Sequence, residues 1–471
     1  MLKPRRRRSL GKVLFVIICI FLVIFLGKYL ISLAQSALWG IAKGTVNIVS
    51  NSMGEDMQTD ALGNINVMIV GYGGEWHAGS FLADSIMVAS FNPKLGAVTM
   101  ISVPRDLYVY DTGRGIMGRI NEVFSIWVGH DRDYSTGALL LSGMLEQIMG
   151  LKISYYAMVD FGGFKNVIDT LGGITVNVPE WFVDSTYPTA NNGYMTVHFE
   201  SGVQIMDGET ALQYARSRHS TSDFSRSLRQ QLIVEAVINK VKSQWLGTVT
   251  KIKKLYNNYT TMVKTNISLK EIMWMVKYMY SLKNIFSYWL TTECSNITYK
   301  YSFPGCFLYT PDRDLFNGAS VMIPDGGTPG KVGFYDYTQN FANYVAHNQK
   351  YLIEWVKISI QNGIDKVIAK QMVWKADGFA NKIAVKLKKY AFDIVDVRNF
   401  TQPISGTVAY ILTTGNVDET IKTMKTFFPI ASIEKDPGTL GFETLTGVDL
   451  VVVVGNDYLT TLVNQPFNYY K

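Results

Sequence analysis

The chain has 471 residues, of which 48% are apolar and 13% aromatic, so it can bury at least one large core and is not a disordered protein. Its net charge of +7 comes mostly from the first twelve residues, which hold six Lys and Arg residues and no acid. The rest of the chain is close to neutral, which argues against binding to a nucleic-acid backbone, and no nucleic-acid partner is expected.

An apolar stretch near the N-terminus predicts a membrane anchor. Residues 13–34 are apolar apart from a glycine, a lysine and a serine, and about 20 such residues cross a bilayer. Because basic residues precede the stretch, the N-terminus should stay in the cytoplasm and the body should lie outside the cell membrane. A cleaved signal peptide is the alternative, and it would also export the body. We expect a basic tail and single transmembrane helix at 1–44 and a stalk at 45–63.

Runs of β-branched residues followed by turn signals predict the first strands of a sheet, at 65–70, 84–91 and 97–103. Apolar spacings of three and four then predict helices, at 136–149, 164–171, 207–215 and about 223–244. Strands that alternate with helices are typical of an α/β or α+β layered domain.

The second half of the chain predicts two further regions. Residues 269–286 and 338–376 have mainly helical patterns, and strand and helix patterns alternate again between 392 and 458. We therefore expect a catalytic domain at 64–330, a mainly helical connector at 331–388 and a small α/β domain at 389–471. Asn456 and Asp457, which follow an apolar strand in that domain, are expected to form a turn rather than a site.

Cysteine usage leaves one pairing open. Cys294 and Cys306 are the only cysteines of the chain beyond the predicted anchor. An oxidising exterior permits a disulfide between them, and two unpaired thiols are the alternative.

Five basic residues surround a predicted helix start and indicate a site for an anion. They are Arg216, Arg218, His219, Arg226 and Arg229. Guanidinium groups bind phosphate oxygens in a bidentate manner, and a helix N-terminus adds free N–H donors. Gln230 stands four residues after Arg226, on the same side of the predicted helix. A pyrophosphate would fit such a site, and the alternative is a solvated basic surface neutralised by nearby acids.

Two further residues lie at the ends of predicted strands. Arg105 follows the strand at 97–103 closely, and ligand-binding groups collect at the ends of strands in α/β sheets. Asp84 opens the preceding strand, where a bound phosphate would repel it unless a cation stood between them. Mg²⁺, or Mn²⁺, is the cation expected, because it is held by one or two carboxylates together with substrate phosphates. The alternative for Asp84 is a strand-capping role.

Several segments resemble, in their order and spacing, the LytR-CpsA-Psr family. They are 83–94 (ADSIMVASFNPK), 101–108 (ISVPRDLY), 119–121 (RIN), 161–164 (FGGF), 169–173 (DTLGG) and 214–231 (YARSRHSTSDFSRSLRQQ). Residues 395–399 (VDVRN) and 448–458 (VDLVVVVGNDY) look like the small C-terminal domain that often accompanies this family.

The resemblance implies a central β-sheet sandwiched by helices, with a hydrophobic interior that takes a polyprenyl chain. Such enzymes transfer a glycosyl phosphate from polyprenyl pyrophosphate to a peptidoglycan hydroxyl. By position, the implied catalytic residues are Arg105, Arg216, Arg218 and Arg226. The same four residues, with Arg119 and Gln230, are implied to bind the pyrophosphate, and Asp84 is implied to bind the metal.

The sequence also departs from the family pattern. The family usually has a second metal-binding Asp twelve residues before Asp84, and this chain has Tyr72 there. Glu75 or His77 could replace the missing carboxylate, and Ala83 stands where an arginine is common. Two alternatives to the transferase therefore stay open: a pyrophosphatase that acts on the same lipid-linked substrate, and a non-catalytic scaffold that binds polyprenyl pyrophosphate or the cell wall.

Overall fold

The structure is a computed structural model of the chain. It describes residues 57–74, 81–129, 131–189, 193–217, 226, 228–230, 232, 233, 236, 240, 263–268, 271, 282–292, 304–328, 331–372 and 378–464. The chain divides into two compact units, the first formed by 1–290 and 308–342 and the second by 291–307 and 343–471.

A six-stranded sheet forms the centre of the first unit. Its strands are β1 (Ile65–Tyr72), β2 (Ala83–Asn92), β3 (Ala97–Val103), β6 (Tyr155–Asp160), β11 (Val263–Thr265) and β12 (Asn284–Trp289). They are ordered β11-β6-β1-β2-β3-β12. Strand β1 runs parallel to β6 and antiparallel to β2, and β3 runs antiparallel to β2 and parallel to β12. The three predicted strands are confirmed, each within two residues.

Helices cover this sheet because its central strands are apolar on both faces. Consecutive residues such as Val67 and Met68, whose side chains lie on opposite faces of the sheet, are both almost completely buried. The helices of the unit are α1 (Ile120–Val128), α2 (Tyr134–Met149), α3 (Phe161–Thr170) and α4 (Gly208–Arg216). Residues of α3 and α4, among them Ile168 and Ala211, join the strands in one apolar cluster. The predicted α/β class is confirmed.

Short two-stranded sheets complete the first unit. Their strands are β4 (Tyr108–Asp111), β5 (Ile116–Arg119), β7 (Ile174–Val178), β8 (Phe182–Pro188), β9 (Tyr194–Phe199), β10 (Gly202–Met206), β13 (Leu308–Tyr309) and β14 (Ile323–Pro324). Strands pair as β4 with β5, β7 with β10, β8 with β9, and β13 with β14. The β8–β9 pair packs on the large sheet, because Tyr187 of β8 is buried in the main apolar cluster.

The second unit contains a five-stranded sheet of order β16-β15-β19-β17-β18. Its strands are β15 (Lys357–Asn362), β16 (Asp393–Asn399), β17 (Val408–Ile411), β18 (Ser432–Lys435) and β19 (Leu450–Val454). Its helices are α6 (Gln349–Glu354), α7 (Lys366–Gln371), α8 (Phe379–Lys389), α9 (Asp418–Met424) and α10 (Asp457–Asn464), and the two units divide within α5 (Asp336–His347). Asn456 lies in the expected turn, whereas Asp457 is the first residue of α10. Their side chains accept hydrogen bonds from the backbone amides of Asp365 and of Thr407.

Two predicted helical segments are wrong in part. Strand β15 lies inside the segment 338–376 and is the central partner of β16 and β19, so this part of the predicted connector 331–388 belongs to the second sheet. Likewise, 284–286 of the predicted helix 269–286 is the start of β12. Both strands are six residues long, and β15 lies between helices α6 and α7 in the sequence. A helical period read over a long window therefore hides them.

The predicted N-terminal regions fall only partly within the described chain. Met57, at the end of the predicted stalk, is buried in the apolar cluster, and the Gln58 amide donates to the Tyr155 hydroxyl at 2.8 Å, so the last residues of the stalk pack on the first unit. Within the described ranges no helix is long and apolar enough to cross a bilayer, and the anchor predicted at 1–44 lies outside those ranges.

Cys306 forms a disulfide. Cys294, the partner considered for it, lies outside the described residues.

Candidate functional site

The ends of four strands meet at one edge of the large sheet. Strands β6, β1 and β3 run in the same direction, so their carboxyl ends share this edge with the first residues of β2. The last register pair between β2 and β3 joins Ile86 and Val103. Asp84 and Arg105 each stand two residues beyond that pair and therefore face each other at the edge.

Asp84 and Arg105 form a direct ion pair. The Arg105 Nη1 atom donates to Asp84 Oδ1 at 2.7 Å. The Arg105 side chain is 19% exposed and the Asp84 side chain is 31% exposed. Arg105 Nε lies 3.6 Å from the Asp106 carboxylate, beyond hydrogen-bond distance, and this buried atom has no hydrogen-bond partner. A buried donor without a hydrogen bond is unusual in a folded protein, and this one faces the carboxylate of the neighbouring Asp106.

Arg119 connects to this pair through Asp106. Its Nη1 lies 3.7 Å from Asp106 Oδ1, and its Nε donates to Glu122 at 2.9 Å. The hydrogen bond from Arg119 lowers the pKa of the Glu122 carboxyl. The structure therefore places Arg119 in a chain of alternating charges that begins at Asp84, and in this state its guanidinium contacts carboxylates.

Arg216 lies at the same edge of the sheet, on the far side of β1. It is the last residue of α4, and its guanidinium stacks on Phe161 at 4.2 Å from the ring centre. Phe161 directly follows Asp160, the last residue of β6 and the register partner of Tyr72. The guanidinium also donates to the Tyr187 hydroxyl at 3.3 Å. Burial raises the pKa of Tyr187, so its phenol stays neutral beside the arginine.

The helical residues Arg229 and Gln230 connect the two sides of the edge. The amide oxygen of Gln230 lies 3.3 Å from the Ser85 hydroxyl, next to Asp84. Arg229 is only 5% exposed and points inward, with Nε bonded to the Tyr214 carbonyl at 3.0 Å. Burial lowers the pKa of Arg229, and the nearby charge of Arg226 lowers it further. The sequence pattern grouped Arg229 with the anion-binding residues, because spacing alone does not tell an inward arginine from an exposed one.

Of the residues predicted to bind the metal, Asp84 is the one that lies within the described residues. Asp84 binds Arg105, and within the described chain no three His, Cys, Asp or Glu residues stand together as metal ligands. Tyr72 is 2% exposed and packs on Tyr134 with ring centres 5.7 Å apart, so it fills space in the core. This donor set does not hold a divalent cation without further oxygen ligands.

Three of the predicted site residues lie outside the described residues. They are Arg218, Glu75 and His77. The structure thus places Asp84, Arg105, Arg119, Arg216 and Gln230 along one edge of the sheet. Arg226 is helical, and its charge lowers the pKa of Arg229.

Comparison with known proteins shows the family of the chain. The model of the LytR_cpsA_psr family matches residues 41–304, which is more than half of the chain. A relative in Bacillus licheniformis, the polyisoprenyl-teichoic acid–peptidoglycan teichoic acid transferase TagU, is 28% identical over 286 residues, covering 59% of this chain and 84% of the relative. The TagU of Halalkalibacterium halodurans is 30% identical over 244 residues, covering 51% of this chain and 71% of the relative.

Among solved structures, the crystal structure of B. subtilis TagV is 25% identical, with a TM-score of 0.42, and the match covers 59% of this chain and 97% of that one. The family match begins before the described residues and ends at 304, so it covers most of the first unit, including every residue of the sheet edge. The resemblance of the segments between 83 and 231 is therefore confirmed, and the chain belongs to the LytR-CpsA-Psr family.

Proposed function

We propose that the chain is a membrane-anchored phosphotransferase that acts outside the cytoplasm. It moves a glycopolymer, as a glycosyl phosphate, from a polyprenyl pyrophosphate carrier to peptidoglycan or to another acceptor of the cell envelope. Family membership and the similarity to TagU proteins, which are teichoic acid transferases, support transfer of a glycopolymer. The observation that carries the proposal is the single sheet edge at which Asp84, Arg105, Gln230 and Arg216 lie.

The reaction needs charge neutralisation more than it needs a protein nucleophile. An acceptor hydroxyl oxygen attacks the phosphorus on the glycan side, the bridging P–O bond breaks, polyprenyl phosphate leaves, and the hydroxyl proton passes to water. Negative charge spreads over the phosphoryl oxygens in this step, and fixed guanidinium groups stabilise it. In our proposal Arg105, Arg216, Arg218 and Arg226 have this role, and Arg105 exchanges part of its bond with Asp84 for a phosphate oxygen.

A large apolar core lies next to this edge. One face of the sheet, with α3, α4 and β8, forms a continuous apolar cluster that includes Phe182, Phe199 and Tyr214. We propose that the polyprenyl chain packs against this cluster while the pyrophosphate lies at the edge. The anchor predicted at 1–44 would keep the protein at the membrane that holds the carrier.

We propose that Mg²⁺, or Mn²⁺, binds only when substrate is also bound. Asp84 offers one carboxylate, so the ion would bind there when phosphate oxygens complete its coordination, and it would supply positive charge at the phosphates. Calorimetry would test this: the wild-type protein should take up Mg²⁺ in the presence of farnesyl pyrophosphate, and Asp84→Asn should not. Uptake of similar strength by Asp84→Asn would remove Asp84 from the metal site.

Product analysis tests the function itself. The full chain in detergent is given a lipid-linked glycopolymer, labelled in the glycan, together with peptidoglycan and Mg²⁺. We expect the label to move to peptidoglycan, and Arg216→Ala to lose this activity, whereas Lys165→Met, which alters an exposed ion pair with Glu209, should keep it. Free phosphorylated glycan without attachment would indicate a pyrophosphatase, and bound lipid without turnover would indicate a scaffold. Either result would contradict the transferase.

A further inference from the structure

Arg229 occupies the C-terminal end of α4 from inside the protein. The last carbonyl groups of a helix have no partner within it, and cations near that end satisfy them and interact favourably with the helix dipole. Arg229 donates through Nε to one of these groups, the Tyr214 carbonyl, at 3.0 Å, and through Nη2 to the carbonyl of Ser217, the residue that caps the helix. Its guanidinium also lies over the Phe182 ring, 4.7 Å from the centre.

The end of α4 that Arg229 holds carries a residue of the site. Arg216 is the last residue of this helix, between the two carbonyls that Arg229 binds. Ser217, the next residue, is completely buried, and its amide bonds the Gln213 carbonyl at 3.0 Å. The position of the Arg216 backbone is therefore fixed by the bonds of Arg229 on either side of it.

The residue after Arg229 reaches the other side of the site. Gln230 contacts Ser85, whose neighbour Asp84 binds Arg105. Two adjacent helical residues thus join the end of α4 to the start of β2. A charge as deeply buried as that of Arg229 is costly unless it is well bonded, so a role in packing alone would favour an apolar side chain here.

We infer that Arg229 is a positioning residue: it does not contact substrate, but it sets the distance between Arg216 on one side of the sheet edge and the Asp84–Arg105 pair on the other. Lysine cannot replace it, because one ammonium group lacks the planar fork that reaches two carbonyls at once. The inference rests on the proposed function for the identity of the ligand, whereas the geometry that it concerns can be measured without any ligand.

The test uses the full chain in detergent with Arg229→Lys, Arg229→Ala and the surface control Lys165→Met. Hydrogen exchange should become faster at the Ser217 amide in both Arg229 variants and stay unchanged in the control. Binding of farnesyl pyrophosphate should weaken about tenfold in Arg229→Lys, the effect of one lost hydrogen bond that held the site. Added guanidinium ion should restore part of the binding of Arg229→Ala by filling the space that the side chain leaves.

Three results would contradict either the inference or the proposed function. If Arg229→Lys exchanges at Ser217 and binds as the wild type does, Arg229 does not position the site. If binding weakens but exchange at Ser217 does not change, Arg229 acts on the ligand directly, and the inference is also wrong. If the wild type itself binds no farnesyl pyrophosphate, the proposed function fails, and the exchange at Ser217 still decides the role of Arg229.

Discussion

Tyr72 stands where the family usually has a metal-binding carboxylate, and the structure predicts what restoring that carboxylate would do. The Tyr72 side chain is 2% exposed, its ring packs on Tyr134, and its register neighbours are Ala83 and Asp160. Replacing a buried aromatic ring by a small side chain costs about 3–5 kcal/mol. In Tyr72→Asp a buried carboxylate near Asp160 adds to this cost, against a total domain stability of roughly 5–15 kcal/mol.

We therefore expect Tyr72→Asp to unfold much of the first unit and Tyr72→Phe, which keeps the ring, to cost about 1 kcal/mol. Because two units do not unfold as one two-state system, stability should be followed in urea by hydrogen exchange of β1 and β2 peptides. Tyr194→Asp makes the same replacement at a side chain that is 74% exposed and should change stability by about 0.5 kcal/mol or less. A Tyr72→Asp protein as stable as the wild type, with tighter Mg²⁺ binding, would refute the view that Tyr72 is a core residue.

Three further predictions concern single carboxylate side chains. Asp84→Asn should change stability by about 1 kcal/mol or less, because its pair with Arg105 is partly exposed, yet it should abolish transfer; urea unfolding and the product assay check this. Glu354→Ala should lower stability by about 1–2 kcal/mol, because this carboxylate accepts two backbone amides in the first turn of α9; unfolding of the second unit measures it. Burial raises the pKa of Asp393, so the folded state binds its proton more tightly than the unfolded state does. Stability should therefore fall as pH rises above 3.8. Asp393→Asn should raise the melting temperature at neutral pH and leave it unchanged below pH 3.8.

Much of the first unit could be predicted because its strands are apolar runs that end in turn signals. The bounds of β3 follow directly from Asn92-Pro93 before it and Pro104 after it. The same turn signals predict that Asp84 and Arg105 lie at strand ends. Only the antiparallel register of β2 and β3 shows that they face each other. Register depends on contacts between distant residues, which a local pattern does not contain.

The parts that the sequence did not give depend on tertiary contacts. Strand β15 is short and was assigned to a helical segment, although burial between β16 and β19 decides its structure. Arg229 has the same residue type and spacing as its neighbours in the basic segment, yet it points inward because the end of α4 provides carbonyl partners. The resemblance implies that Arg119 binds the pyrophosphate, and neither its hydrogen bond to Glu122 nor its ion pair with Asp106 can be predicted from its position in the sequence.

Mass spectrometry of the lipids that co-purify with the full chain tests the central claim most directly. We expect the detergent-extracted wild type to carry a polyprenyl pyrophosphate species, and the variant with both Arg216→Ala and Arg218→Ala to have lost it. Lys165→Met, the surface control, should retain it. If the wild type and the double variant both remain empty after incubation with Mg²⁺ and added polyprenyl pyrophosphate, the sheet edge is not a pyrophosphate site and the proposed transferase is wrong.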